Sequence, residues 1–231
     1  MDYLQDAGPF TYQALVSEPS AGYCHDGKIE GGHLMDAAGS GYPVRLDLEA
    51  PFTVARWRPL VNWILAIPQF IIAAGLQYLR RALLIVSFFM VLFTEQIPEQ
   101  LFNLIVMSYR YQWRVKSYAV WMRESYPPFN FNMVAGDDGI DPAILSIQYP
   151  TKLKRWMPLV KWFLAIPHYF VLIFVYIAAI FVFIASFFAV LFTGKYPKGM
   201  RDFGVGVSRW SMRVSAYVGF LRDEYPPFSL H

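Results

Sequence analysis

Arg155-Trp156-Met157-Pro158-Leu159-Val160-Lys161-Trp162-Phe163-Leu164-Ala165-Ile166-Pro167-His168 opens a run that stays apolar as far as Thr193, interrupted only by Lys161, His168 and a few hydroxyls. The same stretch stands 99 residues earlier without a gap, as Arg56-Trp57-Arg58-Pro59-Leu60-Val61-Asn62-Trp63, Leu65-Ala66-Ile67-Pro68, Ser87-Phe88-Phe89 and Val91-Leu92-Phe93-Thr94. Further on, Arg110, Arg114, Val115, Tyr118 and Arg123 correspond to Arg209, Arg213, Val214, Tyr217 and Arg222, and Tyr126-Pro127-Pro128-Phe129 to Tyr225-Pro226-Pro227-Phe228. About two positions in five are identical from Arg56 to Phe129, so a single module is used twice.

Outward from this repeat the chain divides readily. Asn130 to Ala143, with the turn chemistry of Gly136-Asp137-Asp138-Gly139, links the modules. Each module opens on a short alternating stretch, Val44–Leu48 and Ile144–Ile147, that reads as a strand ending before Pro51 or Pro150. Residues 1–41 differ in kind: they carry six acids against Lys28, a net charge of −5 that leaves +8 on the remainder. This tail is rich in Gly, Ser and Asp, lacks a helical or strand period, and has a composition expected to be disordered alone. It has no basic, apolar leader, so the N-terminus is expected in the cytoplasm. The expected organisation is an acidic tail (1–41), module 1 (42–129), a linker (130–143) and module 2 (144–231).

Of the 231 residues, 56% are hydrophobic, 18% aromatic and only 16% charged. Soluble domains carry about a quarter charged residues, so an ordinary soluble enzyme, a disordered chain and a nucleic-acid binder are all disfavoured. One cysteine excludes an intramolecular disulfide and a thiolate-rich zinc site. The expected class is an all-α integral membrane protein of two tandem repeats.

Trp156 to Thr193, as one helix, would measure roughly 57 Å against a hydrocarbon core of about 30 Å. Either Pro167 breaks the helix and a tilted span follows, or the stretch folds into a membrane-inserted hairpin near residues 176–181. Arg80 and Arg81, opposite Ala179 and Ile180, favour the hairpin, with both arginines at its tip. Mid-bilayer, each would cost roughly 2.5–3.5 kcal/mol. Basic residues flank each apolar stretch on both sides, and an even number of crossings keeps those flanks on one, cytoplasmic, face. Against the hairpin, Val175 to Phe181 contains no Gly, Pro or Asn.

After Pro98 and Pro197 comes a basic amphipathic helix. Phe203, Val207, Trp210, Val214, Tyr217 and Leu221 recur at spacings of four and three, as do Leu104, Tyr111, Val115, Tyr118 and Met122 in large part. Such a helix suits the membrane surface. Its arginines, Arg110, Arg114 and Arg123 with Arg209, Arg213 and Arg222, are the candidate contacts to anionic lipid headgroups or to carboxylates of a partner subunit. Tyr126-Pro127 and Tyr225-Pro226 end the two helices.

The order Trp-x-Pro-Leu-Val-x-Trp, Ala-Ile-Pro-His, Leu-Phe-Thr-Gly-Lys-Tyr-Pro, basic amphipathic helix, Tyr-Pro-Pro-Phe resembles a bacterial membrane-protein family known only as a domain of unknown function. Lys152 to Phe228 follows the pattern closely, whereas module 1 departs at Gln69 and at Glu95-Gln96-Ile97. The resemblance implies a helical membrane module and carries no activity or site residues.

Cys24-His25-Asp26 with His33 has metal-ligand chemistry but no standard spacing, and reads as an incidental loop. His168 follows Pro167 and is expected to bond a carbonyl freed there. No phosphate loop, nucleophile elbow or metalloprotease motif is present. The expectation is a non-catalytic accessory or scaffolding subunit of a bacterial plasma-membrane complex, multi-pass and without cofactor, metal or nucleic acid. Its partners would be the bilayer, neighbouring subunits and anionic lipids. A small transporter, with Pro68, Pro167, Gln77 and Arg80 marking a broken helix, and a membrane-shaping protein are the alternatives.

Overall fold

The structure, a computed structural model, describes residues 41–231. In chain order they form β1 (Val44–Leu48), α1 (Arg58–Leu65), α2 (Ile67–Thr94), α3 (Glu99–Ala119), β2 (Ala143–Ile147), α4 (Met157–Thr193) and α5 (Lys198–Val218). The chain is mostly helical. A two-stranded antiparallel sheet corrects the all-α expectation, and its strands are the two alternating stretches.

The membrane-inserted hairpin is also corrected. α2 runs unbroken for 28 residues and α4 for 37. Nothing between Val175 and Phe181 stops a helix, and Arg80, buried in mid-helix, points at α3 and not outward from a tip. The two modules treat their shared proline differently. In module 1 the helix breaks at Ala66, so Pro68 falls in the first turn of α2, where a missing N–H costs nothing. In module 2, Pro167 is accommodated inside α4.

Both long helices end on a left-handed residue, Glu95 (φ 59°) and Gly194 (φ 67°), whose N–H groups bond Val91 O (3.0 Å) and Val190 O (2.8 Å). Pro98 and Pro197 then start α3 and α5, which return antiparallel along the long helices. These end in turn on left-handed Trp121 (φ 49°) and Phe220 (φ 65°). The N–H of Met122 reaches Ser117 O and that of Leu221 reaches Ala216 O, both at 3.0 Å, the long-range bond of a Schellman cap.

The sheet shows how the modules fit together. Leu46 stands directly opposite Leu145, and these are equivalent residues of the two modules, so a local two-fold axis passes between them. β1 packs on α5 and β2 on α3, each strand serving the other module's helix. Val54 N–H donates to Gly194 O (3.0 Å), and its equivalent Leu153 N–H donates to Glu95 O (2.9 Å). Trp121 meets Phe187, and its equivalent Phe220 meets Phe88, at 5.6 Å between ring centres in both cases. The core between the sheet and the middle helices holds Leu46, Leu145, Phe102, Ile105, Val106, Trp113 and Ala216.

α3 and α5 were expected to lie exposed on a membrane surface; they form an inner layer instead. Their apolar stripe receives α1, α2 and α4, and their arginine side receives the strands and the linker, so they are covered on both sides.

Candidate membrane interface and the buried arginine network

The side chains that α2 turns inward are Gln69, Ala73, Arg80, Ser87 and Val91. Those of α4 are Pro158, Lys161, Ala165, His168, Leu172, Ser186 and Val190, spaced so that they share one narrow stripe. Around the rest of both helices the surface is apolar and uncovered: Ile71, Phe93, Phe163, Phe181 and Phe192 are all between 67% and 74% exposed. Both helices are long and apolar enough to span a bilayer. An apolar surface of this extent is the mark of an interaction site. Exposed Trp57, Trp63, Trp156 and Trp162 sit at its proline-marked ends, beside exposed Arg56, Lys152, Lys154 and Arg155.

The inward stripe of the long helices and of α1 is the opposite in character: Ser87 and Ser186 bond carbonyls of their own helices, and the larger polar side chains meet α3, α5 or the segment that follows them. Asn62 donates to Tyr118 O (2.9 Å), while its equivalent Lys161 donates to Arg222 O (2.8 Å) and pairs with Asp223 (2.7 Å). Gln69 donates to Pro127 O (2.9 Å) and accepts from the Tyr111 hydroxyl, whose pKa burial pushes up to about 12. Its equivalent His168 accepts at Nδ1 from Trp210 Nε1 (3.2 Å) and stacks on Phe228 with ring centres 3.9 Å apart. The carbonyl bond expected for His168 is thus replaced by an indole donor from α5. Arg80 donates to Gln112 Oε1 (3.0 Å) and Ser108 Oγ (3.4 Å), with its guanidinium 3.9 Å above the Tyr109 ring. Arg81 stays on the exposed face, over the Tyr78 ring. Of the residues named for a transporter-like break, Pro68 follows the break at Ala66, Pro167 lies inside the continuous α4, and Arg80 is engaged by α3.

The six arginines proposed for headgroups or a partner are placed mostly inside the fold. Arg110, 1% exposed, donates from Nε to Leu145 O (3.1 Å), from Nη1 to Asn132 O (3.3 Å) and from Nη2 to Val134 O (2.8 Å) and Gly136 O. Arg114 pairs with Asp138, and Arg123 with Asp141 (2.5 Å) and Arg114 O (3.0 Å). In module 2, Arg209 repeats the role of Arg110, donating from Nε to Leu46 O (2.9 Å), from Nη1 to Leu230 O (3.2 Å) and pairing with Asp47. Arg222 is held by Glu224 and by Gln148 O (3.0 Å). Arg213 is buried beside the Tyr42 ring. The headgroup or partner role is therefore corrected for the buried arginines: a guanidinium fully withdrawn behind the linker cannot meet a lipid. Their common work is to tie carbonyls and carboxylates of the linker and strands to the middle helices.

Burial draws the pKa of Arg110, Arg123 and Arg213 below the ordinary arginine value, with Asp138 and Asp141 opposing it for the first two. Burial raises the Asp138 carboxyl, but the hydrogen bond and charge of Arg114 outweigh it and hold the group below the usual range. Asp138 and Asp141 were legible only as linker residues. The available signal was that two of the chain's few acids follow closely on a helix with arginines four apart. Arg201, which the sequence marks only as one of the basic residues after the second apolar stretch, lies 3.4 Å over the Phe52 ring and donates to Ala50 O (2.7 Å) and Pro51 O (2.9 Å).

Among the described residues no three His, Cys, Asp or Glu side chains converge on a point; Cys24, His25, Asp26 and His33 lie outside those residues. A surface recess of about 280 Å³ is lined by Gln148, Tyr149, Lys152, Arg222, Asp223 and Glu224. Its charged groups are already engaged, Lys152 by Glu95 (2.9 Å), Arg222 by Glu224 and Asp223 by Lys161.

No curated protein and no solved structure matches the chain. A family model described as a domain of unknown function (DUF4389) matches it twice, over residues 56–130 and 155–229. The two matches coincide with the two halves related by the local two-fold axis and together cover well over half the chain. The protein belongs to this family and carries its domain as a tandem duplication.

Proposed function

We propose that the chain is a non-catalytic, membrane-embedded accessory subunit of a larger plasma-membrane assembly. α2 and α4 supply the lipid-facing surface, and residues 1–41, with six acids against one lysine, bind a neighbouring subunit. The observation that carries the membrane part is the uncovered apolar surface of α2 and α4, end to end, on a chain whose buried charges are engaged internally. Support for a scaffolding role comes from what those charges do: Arg110, Arg114, Arg123 and Arg209 brace the fold and face no open cleft. The N-terminus lies on the cytoplasmic side in this reading.

The test is native purification in mild detergent, preceded by an alkaline carbonate wash of the membranes. The expected result is retention in the washed membranes and co-purification of a stoichiometric partner that is lost on deleting residues 1–41. Release by carbonate overturns the membrane assignment. A monodisperse lone chain with a protease-sensitive tail overturns the subunit assignment.

A further inference from the structure

We infer that α2 and α4 do not cross the bilayer but lie along the plane of a single leaflet, with the sheet and linker facing water on the same side. This rests on the membrane assignment proposed above and commits the apolar surface to one occupant, the acyl chains of that leaflet. Length comes first. At 1.5 Å per residue, the 37 residues of α4 reach about 55 Å, and fitting them within ~30 Å of hydrocarbon needs a tilt of roughly 57°, beyond the 0–40° usual for spanning helices. Yet α4 shows no polar end that could project into water: Trp156 at its start and Phe192 at its finish are 69% and 70% exposed, with uncovered apolar side chains throughout between them.

Charge gives the second indication. Arg81 is exposed at the midpoint of α2, the costliest position for a cation on a spanning helix. In the plane of a leaflet it lies no deeper than its neighbours, and its long side chain reaches the headgroups.

The third indication is the order of layers. Ser108 and Gln112 of α3 hold Arg80 at the middle of α2, and Arg110, between them on the same helix, holds Leu145 of β2. The sheet therefore lies level with the middle of the long helix, one helix layer away. On that sheet the side chains of Arg45 and of nearby Glu49 are 49% and 70% exposed. A perpendicular α2 would carry these ions into the hydrocarbon centre; an in-plane α2 leaves them in water. Lys152, Lys154 and Arg155 at one end of the apolar surface and Arg56, Lys195 and Lys198 at the other then all face the anionic headgroups of one leaflet.

Single-cysteine versions of the full chain, made on a Cys24→Ser background with Lys154→Cys, Lys195→Cys or Arg45→Cys, test this. Sealed right-side-out and inverted vesicles are treated with a membrane-impermeant maleimide, with labelling after detergent as the denominator. The three positions should react in the same vesicle orientation, each at least tenfold above the opposite one. Reaction of positions 154 and 195 from opposite faces overturns the inference and leaves the membrane assignment standing. Release from membranes by carbonate, with the apolar face covered by a second copy in a soluble dimer, overturns both. As an independent measurement, polarised infrared dichroism of the unsubstituted protein in aligned bilayers should place the mean helix axis near the membrane plane. A mean axis within about 40° of the normal overturns the inference equally.

Discussion

Replacing Arg110 with methionine keeps the aliphatic stem and deletes the charge, so it isolates what the guanidinium does. Four carbonyls lose their donor: Leu145 in β2 and Asn132, Val134 and Gly136 in the linker. A hydrogen bond to a charged donor contributes about 1.5–3 kcal/mol where no water can replace it, and a typical net value is about 1 kcal/mol. The linker carbonyls are only partly buried and regain some water, so roughly 1 kcal/mol each, about 4 kcal/mol together, is the working figure. For a chain of this size that lowers the melting temperature by about 8–16 °C. Arg209→Met removes the equivalent group, but the Arg209 side chain is 20% exposed and serves Leu46, Leu230 and Asp47 at an edge that water reaches, so its loss costs roughly half as much. Thermal unfolding followed by tryptophan fluorescence in one mild detergent compares the two directly. A change below about 1 kcal/mol for Arg110→Met, or a larger one for Arg209→Met, refutes the bracing role. So does a different pattern: an unchanged melting temperature with weakened binding to anionic vesicles would return Arg110 to the headgroups.

Lys161→Ala leaves the Asp223 carboxylate and Arg222 O behind in a largely buried site and should cost about 3 kcal/mol; Lys161→Asn, which copies Asn62 of the first module, should recover part of it, as read from melting temperatures. Asp138 is held below its ordinary pKa, so the stability it contributes is complete above about pH 4, its unfolded value, and drains away as pH falls through the lower folded value. Denaturation profiles between pH 5 and pH 2 should therefore fall more steeply for the natural chain than for Asp138→Asn, and parallel profiles would count against the Arg114–Asp138 pair. Gly194→Ala places a Cβ on a residue at φ 67° and should lower stability by about 1 kcal/mol, whereas Glu95→Gly, at φ 59°, relieves a similar strain against the loss of exposed pairs with Lys152 and Arg155 and should leave the melting temperature nearly unchanged; a loss as large as that of Gly194→Ala would contradict the left-handed cap.

Much of this architecture was legible because it is written in periodicity. The gapless repeat, both strands, the two apolar helices and the shorter helices after Pro98 and Pro197 all follow from spacing, proline position and alternation. The hairpin was misread for a specific reason. A cation in an apolar run was assumed to need water, whereas Arg80 finds Gln112, Ser108 and the face of Tyr109 on a helix that begins only after Pro98. The surface arginines were misread by a related omission. The helix stripe predicts one covered face, but the second cover, made by β2 and the linker through Asp138 and Asp141, is a long-range pairing that no local pattern records. Exchange of strands between modules is equally invisible locally, since Val44–Leu48 carries no mark that it packs on α5.

That exchange bears on what one copy of the domain amounts to. With Leu46 facing Leu145, and Val54 and Leu153 each capping the turn of the other half, a solitary repeat would present an unpaired strand edge, an uncapped turn and a bare helix flank, all self-complementary about one axis. Two such chains would have to find each other before either was finished. Duplication within a single polypeptide replaces that encounter with a tether, raising the local concentration of each half for its mate. It also frees the halves to differ, as they do where Arg80 and Arg81 of the first stand against Ala179 and Ile180 of the second.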